Sequence, residues 1–285
     1  MKKILLPTDF SKASEKAIHY ALAMFSDTAC EFTLLNTYGT NAQPEIAMYV
    51  LDDLRVNAEN MMEKFVKNLK KFDDESFHVF KTEFLPVSPA SAIDILNQTH
   101  HYDLVIIGAS GAGNNLFFGS VATDVVRNVP VNTLVVPLNA TINSIKNIVL
   151  AVDYQHLNEF KVFDNLKDLL IRKEAKLTFL TILKENQTPE SLDGLAKFEY
   201  HNYFGDIKTE DYFIRNNDVE KGIKAFLNVH RVDLLAMVSR HHSFLDVVFN
   251  RSQTRKFAFH PSVPFLSIYD DVPEDLLKDS EMVTF

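Results

Sequence analysis

The chain has one cysteine, Cys30, in 285 residues, and no tryptophan. A single thiol cannot close a disulfide within the chain, which suits a reducing compartment. Catalysis by that thiol would need a nearby base and an electropositive setting. Cys30 stands just before an apolar strand-like run and reads as a small buried residue. Positive charge is also short: 29 Lys and Arg face 38 Asp and Glu, for a net charge of -9. That balance lacks the basic surface that non-specific nucleic-acid binding and adhesion to anionic membranes require. No apolar stretch reaches 18 residues, so no membrane span is expected. The opening Met1-Lys2-Lys3-Ile4-Leu5-Leu6-Pro7 is too short in its apolar run for a secretory leader, and Asp9 interrupts it. It reads as a first strand, and a cytoplasmic setting is expected. Neither a Gly-Lys-Ser/Thr phosphate loop nor a Gly-x-Ser-x-Gly elbow occurs.

Glycine is scarce, eight in all, yet four fall within twelve positions: Gly108, Gly111, Gly113 and Gly119. They follow the apolar run Tyr102-Asp103-Leu104-Val105-Ile106-Ile107 and precede Ser120-Val121-Ala122-Thr123, which reads as a helix start. Strand, glycine loop and helix start make a candidate anion site. Glycine lets backbone N–H groups approach a ligand, and the helix N-terminus adds positive dipole. The plainer reading is a surface loop that needed turn residues.

Landmarks recur in order. Lys3-Ile4-Leu5-Leu6-Pro7-Thr8-Asp9-Phe10 returns as Asn147-Ile148-Val149-Leu150-Ala151-Val152-Asp153-Tyr154, and Phe32 to Thr37 returns as Leu177 to Ile182. Tyr102 to Ile107 returns as Val232 to Met237, and Val129 to Val136 as Pro261 to Ile268. Such order points to duplication of a whole domain rather than a solenoid of small repeats. Domains are expected at 1–140 and 145–271, with an acidic tail at 272–285.

Each copy alternates strands and helices. In the first, strands are expected at 3–8, 31–37, 77–84, 103–107 and 132–137. Helices are expected at 11–25, capped by Ser11 or Ser14, and at 44–72, 89–100 and 119–128. Leu54, Met61, Met62, Phe65, Val66 and Leu69 should share one side of the long helix. Ala92, Ile93, Ile95 and Leu96 should form the apolar part of the next. Short apolar strands separated by helices imply an α/β fold, a doubly wound parallel sheet with helices on both faces. Ligands of such sheets bind at the C-terminal ends of the strands, where the winding reverses. Asp9 ends strand one and Gly108 ends strand four, so the two can face one crevice.

The opening Lys3-Ile4-Leu5-Leu6-Pro7-Thr8-Asp9-Phe10-Ser11, the strand Leu34-Leu35-Asn36-Thr37 and the block from Asp103 through Gly119-Ser120 to Val136 resemble the universal stress protein family. The resemblance covers nearly the whole chain as two tandem domains. It is specific in the first copy and weaker in the second. It implies a five-stranded parallel sheet of order 3-2-1-4-5 in each domain, and a stress-response regulatory protein. It also implies ATP or AMP as ligand in those members that bind one, with Mg2+ accompanying ATP. The family's loop reads Gly, two residues, Gly, nine residues, Gly, then Ser or Thr. Here Gly108 to Gly111 and Gly119-Ser120 match, with seven residues between Gly111 and Gly119. Carried over by position, Asp9 stands at the nucleoside end and Thr37 at the adenine. Gly108, Gly111, Gly119, Ser120 and Val121 stand at the phosphates. An ionised Asp9 would repel phosphate, which agrees with its place at the nucleoside end. Its plainer role, like that of Ser120, is to cap the following helix.

In the second copy Asp153 remains, but residues 239–252 hold no glycine and Arg251 stands where Gly119 stood. At most one nucleotide per chain is therefore expected, in the first domain. Family members commonly pair through their fifth strands. The apolar runs at 132–137 and 264–269 are thus expected to make an intrachain pseudo-dimer, with a homodimer of chains through other faces. Two other readings stand beside this one. A nucleotide hydrolase of the same architecture lacks support from paired carboxylates or a base–nucleophile set. A ligand-free scaffold is the third. His230, His241, His242 and His260 read as solvated rather than metal-binding, because adjacent histidines point apart and no helical His pair supports them.

Overall fold

Apolar runs of five to eight residues, too short for helices and ended by polar or turn residues, become buried parallel strands. The structure, a computed structural model, describes residues 1–39, 44–72, 77–109, 120–142, 144–154, 157, 159–239 and 263–270. They fall into two units, Met1–Leu138 and Asn139–Phe285.

The first unit runs β1 (Lys2–Pro7), α1 (Lys12–Met24), β2 (Cys30–Thr37), α2 (Pro44–Phe72), β3 (Val79–Leu85), α3 (Pro89–His100), β4 (Leu104–Ala109), α4 (Ser120–Asn128) and β5 (Thr133–Pro137). All strand pairs are parallel. β1 lies between β2 and β4, with Leu6 opposite Leu34 and Ile4 opposite Leu104. β3 adds outside β2, and β5 outside β4. The order is therefore β3-β2-β1-β4-β5, and the winding reverses between β1 and β4. Ile4, Leu5, Leu6, Phe32, Leu34, Val105 and Ile106 fill the core.

Helix α1 begins where Ser11 accepts from the backbone N–H of Ser14, so Ser11 is the cap. Its stripe Ala17, Ile18, Ala21 and Leu22 is buried, and Phe25 with it. The other stripes are narrower than the helical spacing suggests. On α2, Ala58, Met62 and Leu69 are buried but Met61 is exposed. On α3, Ala92, Ile93 and Leu96 are buried but Ile95 is exposed. Each helix packs one stripe on the sheet, so residues at the margin of its apolar arc stay exposed. His101 ends α3 in the left-handed conformation, its N–H donating to Asn97 O.

The second unit repeats the plan: β6 (Asn147–Ala151), α5 (Asp164–Lys173), β7 (Lys176–Leu183), α6 (Gly194–Phe204), β8 (Thr209–Arg215), α7 (Val219–Val229), β9 (Leu234–Ser239) and β10 (Phe265–Tyr269). Its order is β8-β7-β6-β9-β10, again all parallel. The duplication reaches single hydrogen bonds. In the first unit the Asp103 carboxylate accepts from Lys3 N–H at 2.7 Å, and in the second Asp233 accepts from Asn147 N–H at 2.9 Å. Thr8 N–H donates to Leu35 O and Val152 N–H to Leu180 O. Phe10 and Tyr154, at matched positions, both have positive φ, 61° and 52°.

Candidate functional site

Because β1 sits between β2 and β4 in a parallel ladder, their three C-terminal ends are neighbours. They bring Asp9, Thr37 and Gly108 to one edge of the first unit. Such an edge, at the reversal of winding, is where open α/β sheets place ligands. Thr37 ends β2 half-buried, Ser120 opens α4, and Val121 follows it half-buried. Gly111 and Gly119 lie outside the described residues, as do Gly113, the pair Phe117-Phe118 and the second copy's Arg240 and Arg251.

Asp9 is exposed. Burial acts to raise its carboxyl, but hydrogen bonds from Ser11 outweigh this and hold it below the usual carboxylate value. One of them is Ser11 N–H to Asp9 Oδ1 at 3.0 Å. At neutral pH Asp9 is thus ionised and can only accept, as a ribose hydroxyl or an adenine amine requires. It steadies the turn into α1, while Ser11 does the capping.

Of the residues that hold this turn, the sequence reading assigned only Ser14, and that as an alternative cap. Thr8, Ser14 and Asn36 are buried and polar. The Ser14 hydroxyl donates to Ser11 O at 3.0 Å. That leaves the Thr8 hydroxyl to donate to Ser14 Oγ at 3.0 Å while accepting from Phe10 N–H at 3.0 Å. Asn36 reaches across from β2 and donates from Nδ2 to Thr8 O at 2.8 Å. The strand ends are tied together by side chains just where the ladder stops. The signal available in the sequence was a polar residue at the end of each apolar run.

Gly108 has a specific packing role. A Cβ there would lie 2.2 Å from Ala13 O and 2.8 Å from Ser14 N, inside the first turn of α1. The missing side chain is what lets α1 lie against the end of β4. The expectation that this glycine serves ligand approach therefore has a structural counterpart in helix packing.

In the second unit the described residues at the matching strand ends differ. Val152 stands for Thr8, and Thr181 for Asn36. Thr181 is buried, and its hydroxyl has no hydrogen-bond partner among the described residues. Tyr154, which replaces Phe10, is buried among aromatic side chains, its ring 5.4 Å from that of Tyr200. Its hydroxyl donates to Asp211 at 2.6 Å. Burial, then that bond to a carboxylate, raises the phenol well above its ordinary value. Asp211 also pairs with Lys197 at 3.0 Å.

Residues 1–137 match the family described as the universal stress protein family. The first unit thus carries a universal stress protein domain. A universal stress protein from Archaeoglobus fulgidus DSM 4304 superposes with a TM-score of 0.73 at 16% identity, over 94% of this chain and 98% of that one. A functionally unknown protein from Pseudomonas aeruginosa PAO1 gives 0.62 at 14% identity, over 99% and 96%. At such identities the likeness speaks to the fold, which extends over both units. A further member, solved in complex with cAMP, has 18% identity over 47% of this chain and 96% of that one, with a TM-score of 0.37. No curated protein matches the chain. Among the described residues no helix is long and apolar enough to cross a membrane.

Proposed function

We propose that this chain is a stress-response regulatory protein that binds ATP or AMP in its first unit only, as a binding protein rather than an enzyme. The observation that carries the reading is the meeting of Asp9, Thr37 and Gly108 at the strand ends where the winding reverses. In this reading Asp9 accepts from the nucleoside, and Thr37 lies by the adenine. Gly111 and Gly119 with the backbone of Ser120 and Val121 cradle the phosphates at a helix N-terminus. Mg2+ would accompany ATP as a counter-charge on the phosphates. The second unit's lack of glycine at 239–252, and its Val152 and Thr181, support the restriction to the first.

Calorimetric titration with ATP and with AMP tests this. One site per chain is expected, lost in Gly111→Val, weakened in Asp9→Asn, and altered for ATP but not AMP when EDTA removes the metal. No heat up to millimolar nucleotide would overturn the reading. A stoichiometry of two would overturn its asymmetry.

A further inference from the structure

The edge where the strands of each unit begin lies opposite the candidate nucleotide edge, and the two units fill it differently. In the first, aromatic rings plug the space between the end of α1 and the start of β3. His78 Nε2 donates to the carbonyls at the end of α1, Phe25 O at 3.2 Å and Thr28 O at 3.1 Å. Its ring centroid lies 5.0 Å from that of Phe32, which lies 5.7 Å from that of Phe80. The parallel registers set Phe32 opposite Phe80 and Leu177 opposite Thr209. Leu177 thus stands for Phe32, and Asp206, Ile207 and Thr209 stand for Phe77, His78 and Phe80. The buried Phe25 caps α1, whereas α5 is capped by Glu174, whose side chain is 88% exposed. Where those rings are missing, the second unit has a cavity of about 670 Å³ between the ends of α5 and α6. Leu170, Ala175 and Phe204 give it a buried apolar wall.

Lysines meet the helix-end carbonyls here. Lys146 Nζ donates to Lys173 O at 2.7 Å, and Lys167 Nζ to Tyr203 O at 2.6 Å. An ammonium has three donors. Lys146 also lies 3.8 Å from Glu174, so each lysine keeps a donor to offer. Lys146, Lys167, Lys176 and Lys208 line the cavity against Glu174 and Asp206, the reverse of the chain's net charge of -9. Lys176 is turned to Glu210 at 3.0 Å. Glu174 stands in water, which screens it. We propose that this cavity binds a small aromatic carboxylate. The ligand's ring takes the place that the first unit fills with its own rings, and its carboxylate accepts from Lys146 and Lys167. The volume is that of a small-molecule site, and an apolar wall with a few polar groups is the usual lining of one. Bare phosphate would leave the wall unused, and a neutral ring would leave the ammonium donors unused.

Calorimetric titration of the full chain with naphthoate, and with the uncharged naphthalenemethanol, tests this. One naphthoate per chain is expected at sub-millimolar concentration, with the alcohol about tenfold weaker. Lys167→Met should weaken naphthoate and leave the alcohol unchanged. Ile207→Trp, which restores a ring at the position of His78, should abolish binding of both. Should either variant unfold by circular dichroism, amide exchange of the wild type serves, where residues 170–176 and 202–208 should gain protection with naphthoate. No heat up to millimolar naphthoate, equal affinity for the alcohol, or unchanged exchange in those segments would overturn the proposal. Loss of naphthoate binding in Gly111→Val would also overturn it, by placing the ligand in the first unit; the nucleotide reading stands or falls separately.

Discussion

Gly108 and Gly222 have the same missing atom and face different neighbours. At Gly108 a Cβ meets the backbone of α1 at 2.2 Å, which cannot swing aside. Gly108→Ala should cost about 1–3 kcal/mol by overpacking, read as a lower urea midpoint at constant slope. At Gly222 the Cβ meets the side chain of Ile182 at 2.8 Å. Two further Ile182 atoms lie at 2.9 and 3.1 Å, and this β-branched side chain is stiff, but it is not backbone, and alanine gains about 1 kcal/mol over glycine inside a helix. Gly222→Ala should therefore cost less than Gly108→Ala in the same experiment. The pair Asn36 and Thr181 makes the matching polar comparison. Asn36→Leu strips Thr8 O of its donor inside the protein and should cost about 1–3 kcal/mol. Thr181→Val removes a buried hydroxyl that has no hydrogen-bond partner among the described residues, so it should be neutral or stabilising. Equal costs for the two would mean that the Thr8–Asn36 tie holds nothing.

Elements in this fold begin and end on side chains as much as on ladders. Asp233 accepts from the N–H groups of Lys146 and Asn147, the start of β6, at 3.0 and 2.9 Å. Burial raises its carboxyl, but these bonds, that from the Asn147 side chain and the charge of Arg231 together bring it below the ordinary 3.8. A carboxyl that titrates lower folded than unfolded stabilises fully above its unfolded value. It loses that contribution as pH falls through its folded value. Stability should therefore fall below about pH 4, and Asp233→Asn should flatten the fall while lowering stability at pH 7. Denaturant melts at pH 3, 5 and 7 would show it. An unchanged pH slope in the variant would count against this role. Asp211 is lowered in the same net sense, with burial opposing and Tyr154 and Lys197 prevailing, so the slope should not vanish entirely.

On the scale of the molecule the two units share a topology and differ in what stands at their strand ends. If nucleotide binds only the first, its stabilisation follows mass action. At a hundredfold excess over Kd the chain gains about 2.7 kcal/mol against unfolding of that unit. Scanning calorimetry should show an ATP-dependent rise for the wild type and none for Gly111→Val. A rise that survives Gly111→Val would place the nucleotide elsewhere.

Strand and helix order was readable because it depends on short-range pattern. Runs such as Leu104-Val105-Ile106-Ile107 and caps such as Ser11 act within a few positions, and the bounds of α2 and α3 were legible to the residue. The duplication was readable too, because matched landmarks need no coordinates. What lies at the candidate site was legible only as residue types. That Gly108 faces Ala13, that Asn36 ties down Thr8, and that Asp103 and Asp233 anchor the first strands of their units are facts of chain segments 28 to 100 positions apart. No local pattern encodes such meetings. The same holds for Met61 and Ile95, whose helical spacing marks them as apolar-face residues. How wide a face the sheet can cover was decided only when helix met sheet.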